Sequence, residues 1–240
     1  MESIDCLNKE SIILLHKNNL LRPLIKSVIV KNILSKVDVA NDLKEKLINN
    51  FMKKVGINEK NSLENWLKIN CLSQTDLENI TLKEARQKLY CQENFKHKVE
   101  ARFLERKNKL DIVVYSLIRI KNFYKAKEIY LRISDENADF GDLAAQYSEG
   151  IENKSRGIVG PVPMEQAHPK LVGLLKIIKK GETHPPIKIK DSYVVVRLES
   201  YEPAQLNNFI REKMGEELFN IMVDEQVNDL SKNLLSKDLN

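Results

Sequence analysis

Cysteine is scarce in this chain: there are three among 240 residues, Cys6, Cys71 and Cys91. Odd in number, far apart and without neighbouring histidines, they exclude a disulfide framework and a zinc-finger spacing. Reduced thiols in a reducing compartment are the expectation. Glycine and proline are also few, eight and seven, which excludes collagen-like and low-complexity classes. Aromatics make up 6%, with Trp66 the single tryptophan; it is expected to anchor a core. No apolar run approaches the length that spans a bilayer, so membrane insertion is not expected. The opening "MESIDCLNKESIILLHKNNLLRPLIK" lacks the order of basic region, apolar run and small-residue cleavage site. A cytoplasmic protein is expected on that ground, with export by another route left open.

What is present points to a soluble globular chain, with 42% hydrophobic and 30% charged residues. The net charge of +5 is uneven: +6 over residues 1–108, +2 over 109–203 and −3 over 204–240. The basic first segment reads as a solvated, lysine-rich helical surface. It has no helix-turn-helix signature, RNP-like aromatic pair or zinc finger, so nucleic acid is not an expected partner.

Apolar residues at helical spacing predict helices over 20–34, 38–56, 61–72 and most of 73–107. Gly56 is placed as a C-cap and Ser73, three before Asp76, as an N-cap. At Leu110 the pattern changes. "LDIVVYSLIRI" is β-branched and continuous, as in a buried strand. Helices are expected over 122–133 and 139–150, then over 168–181 with Pro169 in its first turn. Residues 185–200 read as a hairpin turning at Lys190-Asp191. Residues 204–235 form an amphipathic helix with a stripe of Leu206, Ile210, Met214, Leu218 and Ile221. Its −3 charge suggests that it packs back on the first segment.

The stretch "GIVGPVPMEQAHPKL", 157–171, concentrates three of the prolines and two glycines. With "FGDLAAQYSEG" before it and "HPKLVGLLKIIKKGE" and "PPIKIKDSYVVVRLE" overlapping or following it, it resembles a parvulin-type peptidyl-prolyl isomerase domain. Phe140, Leu143, Ala144, Tyr147, Ser148, Gly157, Gly160 and Gly181-Glu182 carry the likeness, over about 110–202. The helical surroundings are similar in layout to extracytoplasmic parvulin foldases and chaperones. The resemblance implies an α+β fold: a small antiparallel sheet flanked by helices in 109–203, a helical domain in 1–108, and a C-terminal helix in 204–240.

It also implies a reaction. Rotation about a prolyl bond meets a barrier of about 20 kcal/mol, and lowering it requires a held, twisted amide shielded from water. No metal, cofactor or nucleophile is implied. In the family two strand histidines and a Cys or Asp surround the amide. Here those positions are read as Ser116, Tyr193 and Ile158. The apolar pocket positions are read as Ala167 and Leu171, with Met164 and His168 beside them as peptide-binding candidates. Ser116 and Tyr193 retain hydroxyls that donate and accept; Ile158 does not. The expected function is therefore isomerisation of proline-containing or unfolded polypeptides at an altered site, with a non-catalytic peptide-binding chaperone as the alternative. His16 and His97 fall on helical faces, and His184 precedes a Pro-Pro turn.

Overall fold

The computed structural model describes residues 4–57 and 60–237. The chain divides into two compact units, residues 1–103 with 206–240, and residues 104–205.

The first unit contains helices α1 (Lys9–Lys17), α2 (Leu21–Leu34), α3 (Asn41–Lys54), α4 (Lys60–Ile69), α5 (Gln74–Thr81) and α6 (Lys83–Phe95), the start of α7 (Val99–Leu110), and α11 (Asn208–Lys237). Ser73 caps α5 in a reciprocal box with Asp76, each side chain bonded to the other's backbone N–H. Asp76 also takes Lys31 Nζ at 2.7 Å, and these bonds hold its carboxyl well below the usual range. The expected long helix over 73–107 is broken at Leu82 and after Phe95, both buried. The residues between the two breaks stay helical as α6.

The core of this unit joins Leu21, Ile25 and Ile29 of α2, Cys91 and Phe95 of α6, and Phe219, Val223 and Val227 of α11. The buried line on α11 thus runs through Met214, Phe219, Val223 and Val227, whereas Ile221 is exposed. Gly215, also buried, lets α6 come close: a Cβ there would stand 3.2 Å from Cys91 Cβ. Arg102 Nε donates to Glu217 at 3.0 Å and ties α7 to α11. Trp66 is half-buried and meets Phe51 edge-on, at 5.7 Å between centroids.

The second unit is built on a four-stranded antiparallel sheet: β1 (Ile112–Ile120), β2 (Ile158–Pro163), β3 (Thr183–Ile189) and β4 (Ser192–Glu202), in the order β2-β1-β4-β3. One face packs on α8 (Phe123–Ser134) and α9 (Phe140–Tyr147) through Ile118, Ile120, Ile129, Phe140, Leu143 and Val195. The other packs on α10 (Pro169–Leu175) through Val113, Tyr115, Leu117, Leu171, Val194 and Val196. The hairpin turns at Lys190, φ 52°. The helix expected over 168–181 stops at Leu175.

Residues 158–163, whose glycine and prolines would locally favour a turn, form β2 instead. A strand with two prolines is tolerated because it lies at the sheet edge, where missing N–H donors cost least. Gly160 has φ +113°, and a Cβ on it would lie 2.6 Å from the Val113 carbonyl oxygen. β2 can approach β1 only with glycine there. Gly160→Ala is expected to destabilise this unit by about 3 kcal/mol, measured by denaturant unfolding.

The thiols divide by burial. Cys6 and Cys71 are exposed and Cys91 is buried. Burial, with the charge of Glu216, pushes the Cys91 thiol up to about 11. A disulfide reagent at neutral pH should therefore titrate two thiols quickly in the native protein, and the third only after denaturant is added.

Candidate functional site: the α10 face of the sheet

Strand alternation decides which side chains meet. On β1, Val113, Tyr115 and Leu117 point to the α10 face, and Ile118 and Ile120 to the α8–α9 face. Ser116 falls on the second set. It is buried, and its hydroxyl donates to Glu199 Oε1. That oxygen also accepts from Arg197 Nε at 2.8 Å, and Arg197 lies over the Phe140 ring at 4.8 Å. Ser116 is thus a satisfied hydroxyl beneath α9. Tyr193 shares this face, its ring 5.1 Å from that of Phe123. Ile158 pairs with Ser116 across β1–β2 and is 51% exposed.

The apolar candidates lie elsewhere. Met164, Ala167 and Leu171 pack into the α10-side core at 0%, 5% and 4% exposure. His168 is the N-cap of α10, and its Nδ1 accepts from Lys170 N at 3.3 Å. The residues that the sequence assigns to one site are therefore not brought together. Ser116, Tyr193 and Ile158 belong to one face of the sheet, and Met164, Ala167 and Leu171 to the other. His184 Nδ1 lies 2.7 Å from the Pro185 carbonyl oxygen.

The strand residues that do face α10 are one position away in each case: Tyr115 on β1 and Val194 on β4. A one-residue slip in a strand moves a side chain to the opposite face. Tyr115 is 6% exposed. Burial pushes its phenol above the ordinary value; the charge of Arg119 acts against this and that of Glu152 adds to it. Arg119 is two pleats along β1 from Tyr115 and shares its face. Its strand partner is Val194.

Glu152 lies in a 3-10 turn, Ile151–Ser155, and is itself buried. Ser148 Oγ donates to Glu152 Oε1 at 2.9 Å and accepts from the Arg119 backbone N–H at 3.0 Å. Arg119 Nε stands 3.6 Å from the same carboxylate oxygen. On the α10 face Tyr115 therefore packs in one apolar cluster with Leu171 and Val194, and the Arg119–Glu152 ion pair lies beyond it along β1. Among the described residues no group of His, Cys, Asp and Glu could hold a metal ion, and no helix is long and apolar enough to cross a membrane.

The other end of β1 is fixed by Asp111, 2% exposed. Its carboxylate accepts from the Tyr201 hydroxyl and from Ala204 N at 2.9 Å. The hydrogen bond to Asp111, then burial, push the Tyr201 phenol up to about 12. Ionising it would remove the donor. Its contribution to stability is therefore complete below the ordinary tyrosine value of about 10 and lost as pH rises through about 12. Absorbance titration at 295 nm should find a tyrosine titrating that late, and Asp111→Asn should bring it down.

Comparison with known proteins bears on the segment that follows β1. Residues 121–200 match the Rotamase family, the PPIC-type PPIase domain. The match starts immediately after β1 and ends within β4. No curated protein matches the chain. Among solved structures, peptidylprolyl isomerase PrsA from Bacillus cereus is 17% identical, with 96% of this chain and 88% of that one covered, at a TM-score of 0.50. PrsA from Bacillus anthracis is 18% identical, with 90% and 95% covered and a TM-score of 0.45. A structure from Campylobacter jejuni, titled for the SurA-like chaperones PEB4 and Cj1289, is 18% identical, with 83% and 85% covered and a TM-score of 0.40. At 17% identity, the likeness to the Bacillus cereus structure concerns the fold alone. The family match identifies the segment: the chain carries a parvulin-type peptidyl-prolyl cis–trans isomerase domain, set between helical segments.

Proposed function

We propose that the chain is a slow prolyl isomerase and foldase for proline-containing polypeptides, working on the α10 face of the sheet. The observation that carries this reading is the position of Tyr115, which lies on that face in the same apolar cluster as Leu171 and Val194. A buried phenol with a raised pKa stays protonated at neutral pH. It is then a fixed donor to the amide as conjugation is lost, while the apolar floor removes water from the carbonyl. Val194 offers no second hydrogen bond, so the reaction is expected to be slow.

Ser116 and Tyr193 are structural in this reading, and Ala167 and Leu171 support the floor. Nothing in the chemistry calls for a cofactor. Exposed Cys6 and Cys71 suit a compartment that keeps thiols reduced, in keeping with a cytoplasmic placement.

A protease-coupled assay with Xaa-Pro peptides tests the proposal. The native chain should accelerate isomerisation at least about tenfold over background, and Tyr115→Phe should remove about tenfold in kcat/KM, equivalent to about 1.4 kcal/mol. Tyr193→Phe should leave the rate unchanged. No acceleration by the native chain, together with suppressed aggregation of a proline-free client, would replace this reading with a non-catalytic chaperone.

A further inference from the structure

The rim of the α10 face carries a charge arrangement that the isomerase chemistry does not require. Arg119 projects from this face with its side chain 47% exposed, beside a Glu152 side chain that is 4% exposed. A guanidinium alone at this rim would draw acidic side chains of a polypeptide lying across Tyr115. Extended substrate advances by ~3.4 Å per residue, so side chains flanking the proline fall against the rim.

The carboxylate is not there by accident of a mobile side chain. Ser148 Oγ donates to it at 2.9 Å, and the Glu152 carbonyl accepts from Gly157 N at 2.8 Å. Space for it exists because residue 150 is glycine: a Cβ there would lie 2.2 Å from each carboxylate oxygen. Gly150 therefore makes the pocket and Glu152 fills it. A buried carboxylate must keep a partner, and Arg119 is that partner across 3.6 Å.

We infer that Glu152 is a specificity-determining residue. By neutralising Arg119 at the rim, it directs the site to polypeptides with an uncharged residue next to the proline and away from acidic ones. Arg119 meets the substrate, and Glu152 acts through Arg119 as a positioning residue. The inference rests on the α10 face being where the polypeptide lies.

The test compares two fluorescein-labelled peptides that differ only in the residue before proline, leucine or glutamate, with affinity read by anisotropy. The native chain should bind the leucine peptide at least as well as the glutamate peptide. Glu152→Gln keeps the size and can still accept from Ser148, but it releases the charge of Arg119. It should raise the glutamate-to-leucine affinity ratio about fivefold, the scale of one exposed ion pair. Adding Arg119→Gln should cancel the gain. Gly150→Ala, which displaces the carboxylate, should shift the ratio in the same direction.

A purely structural role for Glu152 would weaken both peptides together. An unchanged ratio in a Glu152→Gln protein that melts like the native one overturns the inference, as does failure of the native chain to bind either peptide. Because the ratio is read from binding, absence of catalysis alone would overturn only the isomerase reading.

Discussion

The second unit depends on β1 being buried on both faces while paired along both edges. It runs antiparallel to β4 from Ile112 to Ile120 and to β2 from Ile112 to Ser116. Tyr115 and Leu117 close the α10 side, and Ile118 and Ile120 close the α8–α9 side. A central strand of this kind cannot slip without exchanging its two cores. The role of every side chain on it follows from its parity. Ser116 becomes a buried structural hydroxyl, and Tyr115 becomes the polar group of the candidate site.

Two polar clusters hold the ends of this strand. At its start, the Asp111 side chain gathers Tyr201 and Ala204 at the end of β4. Near its end, Ser148 and Glu149 bond the backbone of Arg119, and Glu152 completes the cluster. Buried polar groups are stable only when satisfied, so these clusters fix the strand more sharply than its apolar residues could. One of them also forms the rim of the face on which polypeptide is proposed to lie. Structure and selectivity thus draw on the same residues there.

Fold class was legible in local signals. Ser73 and Asp139 cap helices as their positions imply, Lys190 turns the hairpin, and the abrupt change at Leu110 marks the buried strand. The motif glycines were read in the right region, but the edge strand β2 was hidden by Gly160, Pro161 and Pro163, which signal a turn in any local reading. The site was legible only to within one residue. In "IVVYSLIRI" apolar residues occupy both parities, so the pattern gives no inward and outward face to choose between. Tyr115 and Ser116 were therefore indistinguishable by periodicity, and so were Tyr193 and Val194.

By itself, the sequence determined the helices, the caps, the buried central strand and the family of the middle segment, because those rest on local propensity, spacing and motif. Only the tertiary structure decided which face of the sheet α10 covers, and so which strand side chains share its core. It also decided that a glycine at 150 leaves room for the carboxylate of Glu152 beside Arg119. Both outcomes depend on contacts between residues distant along the chain or folded back upon it, which no local pattern encodes.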